Sequence, residues 1–523
     1  MKKFIYSIVA ICGLLSLSAC SEDNLITEPT DSMSGATLMS DGVKALVPLN
    51  GIYRSMYTAG WSTTGNTHQC FGISAYNLMA EVMGDDMIMG SSGSGWFWYD
   101  AVYDVKDLFT RSSWRSYDLW KAYYTWIANA NYILAAEETM GGATDDKNYA
   151  ISQAYAIRAY SYFMLAQSFA RTYKGHENEP CVPIYTGPTS TTTTGQPRVS
   201  VAKVYEQITS DINKACELLQ GLPQQQSAHI SYGVAQGIRA RIALVMEDWA
   251  TAEQAAEEAI AKCGHNIAAV KDFKGLNDVN APNVMWGAQI ISDQAGGYAS
   301  LFAHMDTVAS YGLGAPKMIT LSLYNKISAT DTRKDAWWPD PESYDIHSSF
   351  NPNNPDYSYN GAPLQRKMYF SDPTQWMGDY IWMRVEEMYL IAAEAECRQG
   401  KDGEARTHLM ALMKERDPLY TCNKSGNSLS PLTSGNTGSL LEEILLQRRI
   451  ELWGEAGRMY DIKRLKQGFT REEADGWDSG ALLRGRPTTN PENYMWVLTI
   501  PQAEFDGNEN MNVATDQNPL ADE

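Results

Sequence analysis

The chain has 523 residues, 44% apolar and 20% charged. It can bury a large core without disulfides or a structural metal, and disorder over most of its length is excluded. Against 42 Lys+Arg stand 62 Asp+Glu, a formal net charge of −20, so nucleic acid is excluded as the expected partner, because a polyanion-binding surface carries the opposite sign.

Lys2 and Lys3 precede an uncharged, mostly apolar run of 16 residues from Phe4 to Ala19. A transmembrane helix needs about 20 such residues, so the run reads as a secretory h-region. It ends Leu17-Ser18-Ala19-Cys20, which resembles a bacterial lipobox. That resemblance implies a signal peptide over residues 1–19, cleavage before Cys20, and lipid (palmitate) attachment to Cys20. Ser21-Glu22-Asp23-Asn24 behind it resembles the surface-export tags of Bacteroidetes lipoproteins. Loss of Lys2 and Lys3 with residues 1–19 takes the mature charge from −20 to −22. No later apolar run approaches 18 residues, so the mature protein is expected to be anchored rather than spanning. The remaining cysteines form no Cys-x-x-Cys pair. They read as mostly buried small hydrophobes, with one disulfide left open.

Residues 20–44 are expected to be the lipid anchor and a polar tether. The first clear helix is predicted near Ser116–Glu138, where Leu119, Tyr123, Trp126, Ile127, Ala130, Ile133 and Leu134 share one face. Asp145–Phe169 is apolar nearly all round, with Arg158 in its middle, and is predicted to be a buried helix. Val201–Leu219 is amphipathic and stops at Gly221 and Pro223. Two helical hairpins follow with similar grammar: Tyr232–Met246 with Trp249–Lys262, and Arg384–Arg398 with Glu404–Glu415. Small residues such as Ala252, Ala255, Ala256 and Ala259 permit close tetratricopeptide-like packing. Between the hairpins lies a loop-rich insert, 266–380, containing Gly296-Gly297 and many prolines. A segment of that length is either functional or packed on the scaffold. A last helical pair is predicted at Leu440–Trp453 and Gly457–Lys466.

Catalytic motifs are missing: the chain has no His-Glu-x-x-His, no Gly-x-Ser-x-Gly elbow and no Walker loop. The seven histidines include no local metal pair, so no metal or cofactor is expected. One texture does point to a ligand. The Gly/Ser-rich stretch 90–95 leads into Trp96-Phe97-Trp98-Tyr99. Adjacent side chains point in different directions, so four neighbouring rings cannot all enter one core. Exposed rings suit a sugar, because they stack on the apolar C–H faces of pyranoses. Trp337-Trp338 in the insert is a second such place, and Asp85 and Asp86 are candidate acceptors for sugar hydroxyls.

Several blocks together resemble the SusD/RagB-type nutrient-binding lipoproteins of Bacteroidetes. They are Ala154 to Arg171 with Val182-Pro183-Ile184, Pro197-Arg198-Val199-Ser200-Val201 with Val204-Tyr205, and Arg384-Val385-Glu386 through Ala393-Glu394-Ala395. Gln447-Arg448-Arg449-Ile450-Glu451-Leu452 with Gly457-Arg458, Asp461 and Arg464, then Ile500-Pro501 and Gln517-Asn518-Pro519, complete the set. Gln447 and Ala456 depart from the usual Glu at those places. The resemblance implies a mostly α, SusD-like fold: tetratricopeptide-like hairpins as scaffold, long irregular loop excursions and little β. It implies an N-terminal SusD-like region, 45–265, and a C-terminal RagB/SusD region, 266–523, packed as one body. It also implies a non-enzymatic lipoprotein on the outer face of the outer membrane. Such a protein binds an oligosaccharide, on this sequence through Trp96, Trp98, Tyr99, Asp85, Asp86, Trp337 and Trp338, and delivers it to a TonB-dependent transporter. The alternatives are a peptide ligand on the same scaffold and an anchored helical glycan hydrolase. The charged residues of the C-terminal blocks read as ion pairs that lock helices together rather than as a site.

Overall fold

The computed structural model describes residues 35–60, 66–90, 96–104, 113–338, 361–455 and 457–519. The expected signal peptide, Cys20 and the tether as far as residue 34 lie outside these, as do residues 91–95 and 339–360. Among the described residues, ten helices have ten or more residues. They are α1 (Gly42–Ser55), α2 (Ile73–Val82), α3 (Trp114–Leu134), α4 (Thr144–Phe169), α5 (Val201–Leu219), α6 (Tyr232–Met246), α7 (Trp249–Lys262), α8 (Val385–Arg398), α9 (Asp402–Lys414) and α10 (Leu440–Glu451). The protein is mostly α with little β, as expected. Helices α5, α6 and α7 keep the predicted bounds. Helices α1 and α2 have no counterpart in the sequence reading. Pro48 lies inside α1, where proline is read as a helix breaker, and nine of the ten residues of α2 are buried, which leaves no polar face to reveal a period.

Helix α4 packs between α3 and α5. Nineteen of its 26 residues are buried, and burying Arg158 among them requires a partner. Its guanidinium donates in bidentate fashion to Asp211 on α5, at 2.7 Å each, and to Asn131 Oδ1 on α3, at 2.8 Å. One side chain thus ties three helices together. The α6–α7 turn is Glu247-Asp248. Glu247 takes a left-handed φ of +58°, and the Asp248 carboxylate caps α7 by accepting from the Thr251 N–H. Ala252, Ala255, Ala256 and Ala259 are fully buried on α7, and a Cβ on Gly233 of α6 would lie 2.7 Å from the Cys263 Cα. Helix α7 then packs on α8, and α8 on α9 and α10. The two predicted hairpins therefore stack directly, across the whole insert.

Small β elements tie the insert to the rest of the chain. β1 (Met87–Met89), β3 (Lys317–Ile319), β5 (Leu364–Gln365) and β4 (Trp337–Trp338) form an antiparallel sheet in that order. β2 (Val284–Ala288) pairs with β6 (Tyr380–Arg384). Lys317 of β3 is fully buried. Its ammonium donates to the Ala315 carbonyl at 3.0 Å, and burial alone pushes its pKa down to about 7.

The helical pairs and the insert converge on a buried ion network. Arg384 reaches Glu386 (3.2 Å), Glu451 (3.0 Å) and Glu455 (2.7 Å). Arg416 reaches Glu386 and Glu451, both at 2.9 Å. Arg333 bonds Asp331 (2.6 Å) and Glu451 (3.3 Å), and Lys367 bonds Glu455 (2.6 Å). Four cations face four carboxylates, so the group is neutral as a unit. Arg416 and Arg384 hold the Glu451 carboxyl well below the usual range. The other charged residues of the C-terminal blocks pair as expected. Arg448 binds Asp461 at 2.8 Å, and Arg464 binds Glu394 (2.7 Å) and Asp461 (2.8 Å).

Removing one member strands the rest, and breaking a buried pair typically costs 3–5 kcal/mol. Glu451→Gln is therefore expected to lower unfolding stability by about 3–5 kcal/mol in urea titrations, whereas exposed Lys203→Gln, which loses a surface pair to Glu206, changes it by under about 1 kcal/mol. Lys317→Met is expected to act in the opposite sense. The folded chain holds the Lys317 proton less tightly (about 7) than the unfolded chain (10.5), so the penalty is full below about pH 7 and fades as pH rises toward 10.5. The variant should melt higher than wild type at pH 6–7, and the gap should narrow by pH 10; a gap that widens with pH would contradict this.

Candidate functional site

Trp96 and Phe97 both have left-handed backbones, with φ of +51° and +75°. Non-glycine residues rarely adopt this conformation, and two in succession turn their side chains apart. Phe97 goes inward, fully buried, with its N–H donating to Gln69 Oε1 at 2.6 Å. Trp96 stays half-buried and stacks face to face on Tyr311, centroids 3.7 Å apart and planes 16° apart. Tyr298 lies 5.0 Å from Tyr311 and 4.8 Å from Trp376, and is 48% exposed. The His68 ring lies 6.1 Å from Trp96 and 5.7 Å from Tyr298, and its Nδ1 shares a 2.7 Å hydrogen bond with the Tyr311 hydroxyl. Trp96, Tyr311, Tyr298 and Trp376, with His68, make one aromatic platform at the surface.

The backbone around the platform is unusual in one consistent way. Trp96 and Trp376 (φ +58°) are themselves left-handed, Tyr311 follows left-handed Ser310 (φ +52°), and Tyr298 follows Gly297 (φ +55°). Each ring is thus presented by a sharp local reversal. Such conformations cost of order 1–3 kcal/mol each for non-glycine residues and persist only where the surroundings enforce them. The floor is dry. His304 is fully buried 5.3 Å from Tyr311, and its Nε2 bonds the His68 carbonyl at 2.7 Å. Burial, with Lys317 nearby, holds the His304 pKa well below its ordinary value, so the imidazole under the rings is neutral. The platform offers flat apolar faces edged by two phenols and an imidazole, which suits stacking and hydrogen bonding to a polyhydroxylated ligand.

The other residues singled out from the sequence are placed differently. Asp85 and Asp86 are corrected: both are buried and engaged as acceptors already. Asp86 pairs with Arg449 (2.5 Å) and Arg458 (2.9 Å), and Asp85 with Arg458 (2.9 Å). They bind scaffold guanidinium groups more than 360 positions away, not hydroxyls. Trp98 is 6% exposed and Trp337 is 2% exposed, with Trp337 packed edge-on against Trp453 at 5.8 Å, so both are core rings. Trp338 is half-buried with the Arg366 guanidinium over its face at 4.8 Å, and Tyr99 is 40% exposed. Sequence reasoning missed Tyr298, Tyr311, Trp376 and His68. A usable signal existed for one of them: Tyr298 follows Gly296-Gly297 as Trp96 follows the Gly/Ser stretch. A separate cleft of about 520 Å³ is bordered by Trp120, Tyr124 and Tyr185. Its polar tips are occupied internally, with the Trp120 N–H donating to Glu504 and the Tyr124 hydroxyl to the Pro183 carbonyl.

Comparison with known proteins agrees with this scaffold. A family model described as "Starch-binding associating with outer membrane" matches residues 73–244, and one described as "SusD family" matches residues 328–520. The SusD-like protein P2 of Formosa agariphila is 25% identical, with 98% of this chain and 99% of that protein aligned. The crystal structure of a SusD-like carbohydrate binding protein from Bacteroides vulgatus superposes with a TM-score of 0.74 at 24% identity, covering 90% of this chain and 97% of that one. Surface glycan-binding protein A from Bacteroides thetaiotaomicron superposes with a TM-score of 0.67 at 16% identity, over 92% and 100% of the two chains. The matched family is one of binding proteins, not enzymes. Both charge systems of the scaffold, Arg158–Asp211 in the first matched span and the Glu451 network in the second, fall where those models align, and the chain belongs to the SusD/RagB family.

Proposed function

We propose that this protein is a lipid-anchored outer-membrane protein, facing the cell exterior, that captures an oligosaccharide on the Trp96–Tyr311–Tyr298–Trp376 platform and delivers it to a TonB-dependent transporter. The observation that carries the reading is the platform itself: four contiguous rings, half-buried or exposed, each presented by left-handed backbone. The names of relatives as carbohydrate- and glycan-binding proteins support a sugar ligand. The Cys20 lipobox supports the anchor. The mature charge of −22 repels polyanions at long range, which favours a neutral glycan over an acidic one. Capture needs no covalent step: ring faces cover C–H faces, and the Tyr298 and Tyr311 hydroxyls with His68 meet hydroxyls at the rim.

Affinity electrophoresis of the mature chain against a panel of neutral polysaccharides tests this. Trp96→Ala removes one stacking face and the support of Tyr311, and is expected to weaken retention about tenfold, or about 1.4 kcal/mol. Tyr298→Ala should weaken it several-fold, with melting temperatures unchanged within a degree or two. Tyr99→Ala and Trp338→Ala report whether the ligand extends beyond the platform. Retention by every glycan tested being insensitive to Trp96→Ala would overturn the platform. Binding of peptides alone would transfer the platform to the peptide reading, and release of reducing ends would indicate a hydrolase.

A further inference from the structure

Helices α7, α8 and α9 bring three metal-competent side chains together at the edge of the stacked hairpins. Glu257 comes from α7, Glu396 from α8 and His408 from α9. One ligand atom from each lies within 4.8 Å of the other two. His408 Nδ1 and Glu396 Oε2 are already 2.8 Å apart. Glu396 is 1% exposed, while Glu257 is exposed, so the cluster has a buried end and an open mouth. The next carboxylate along α7, Glu253, is engaged elsewhere: Lys401 bonds it at 2.6 Å and the Gln399 amide donates to it. That pair is neutral. What remains is two carboxylates and an imidazole, and among the described residues no lysine or arginine forms an ion pair with Glu257 or Glu396.

We propose that Glu257, Glu396 and His408 form a divalent-metal site of the zinc class that clips α7, α8 and α9 together. The donor set is one imidazole nitrogen and two carboxylate oxygens, with a water as the fourth ligand. This mixed set suits Zn²⁺ rather than Ca²⁺ or Mg²⁺, which take more ligands and only oxygen. Ligand atoms in a tetrahedral site with bonds of about 2.0–2.1 Å stand roughly 3.4 Å apart. The Glu396–His408 spacing is already shorter than this, and the exposed Glu257 side chain has the rotamer freedom to close the remainder. The Tyr389 ring stands edge-on to His408 at 5.9 Å and steadies the imidazole. The site is independent of the aromatic platform, so it stands or falls apart from the sugar reading.

Isothermal titration of the untagged mature chain with ZnCl₂, and visible absorption with CoCl₂, test the proposal. One equivalent is expected to bind, with a tetrahedral cobalt spectrum and a rise in melting temperature under zinc but not under calcium. Glu257→Gln and His408→Ala should each weaken zinc binding at least about tenfold and abolish the melting shift. Because Glu257 is exposed, its variant keeps the fold even if His408→Ala softens the hairpin. Absence of stoichiometric binding would overturn the proposal, as would zinc binding that survives Glu257→Gln, which would place the ion at other side chains such as the half-buried Cys263 or Cys422.

Discussion

The Glu451 carboxylate is the point through which most of the C-terminal half is held. It receives Arg384 from the end of β6, Arg416 from just beyond α9 and Arg333 from the insert, and its own backbone carbonyl accepts from Lys367. Lys367 also bonds the Trp453 carbonyl and Glu455. A set of this kind gives little net stability, because desolvating eight charged groups offsets most of their attraction. What it does give is a severe penalty for any arrangement in which one partner is missing. The position of the insert relative to the helices is thereby specified, and the small sheet carrying Trp337 and Lys317 is fixed with it.

The same network explains a departure from the family pattern. Gln447 stands where Glu is usual, and its amide works in both directions. Its Oε1 accepts from Arg333 at 2.5 Å, and its Nε2 donates to Glu443 at 2.9 Å. A glutamate there would set two carboxylates side by side, since Glu443 already accepts from Tyr420 and Lys424. The amide is the side chain that satisfies both neighbours without adding charge.

Much of the helical frame was legible because helices announce themselves locally. Ser231, Asp248 and Ser439 cap helices just before apolar periodicity begins, and Gly221 ends one. The frame failed to show where local signals conflict with the fold, as at Pro48 in α1 and in the almost wholly buried α2. The candidate site was legible only in part, for a related reason. Adjacency correctly required the Trp96–Tyr99 run to split between inside and outside, but not which ring went where. That choice is made by the left-handed Trp96 and Phe97. Asp85 and Asp86 looked like free acceptors because Arg449 and Arg458 are so remote in sequence. His408 likewise looked isolated, its two companions standing 12 and about 150 positions away.

Strain and rigidity are connected in this molecule. Among the described residues, four of the nine non-glycine left-handed positions, Trp96, Phe97, Ser310 and Trp376, cluster at the platform. Left to themselves they would relax, and the rings would fold onto the nearest apolar surface. They are kept in place by what lies behind them: Phe97 sealed under Arg115, which is itself locked to Asp100 at 2.8 Å, and His304 wedged among Phe71, Phe97 and Tyr311. A platform ordered before its ligand arrives loses less entropy on binding than one assembled around it. The insert is therefore long not because it is loosely held but because it must travel from the helical frame to the surface and return, placing Tyr298, Tyr311 and Trp376 beside a Trp96 contributed from about 200 to 280 residues earlier. Rings so distant in sequence can form one surface only on a frame whose internal charges permit no alternative register.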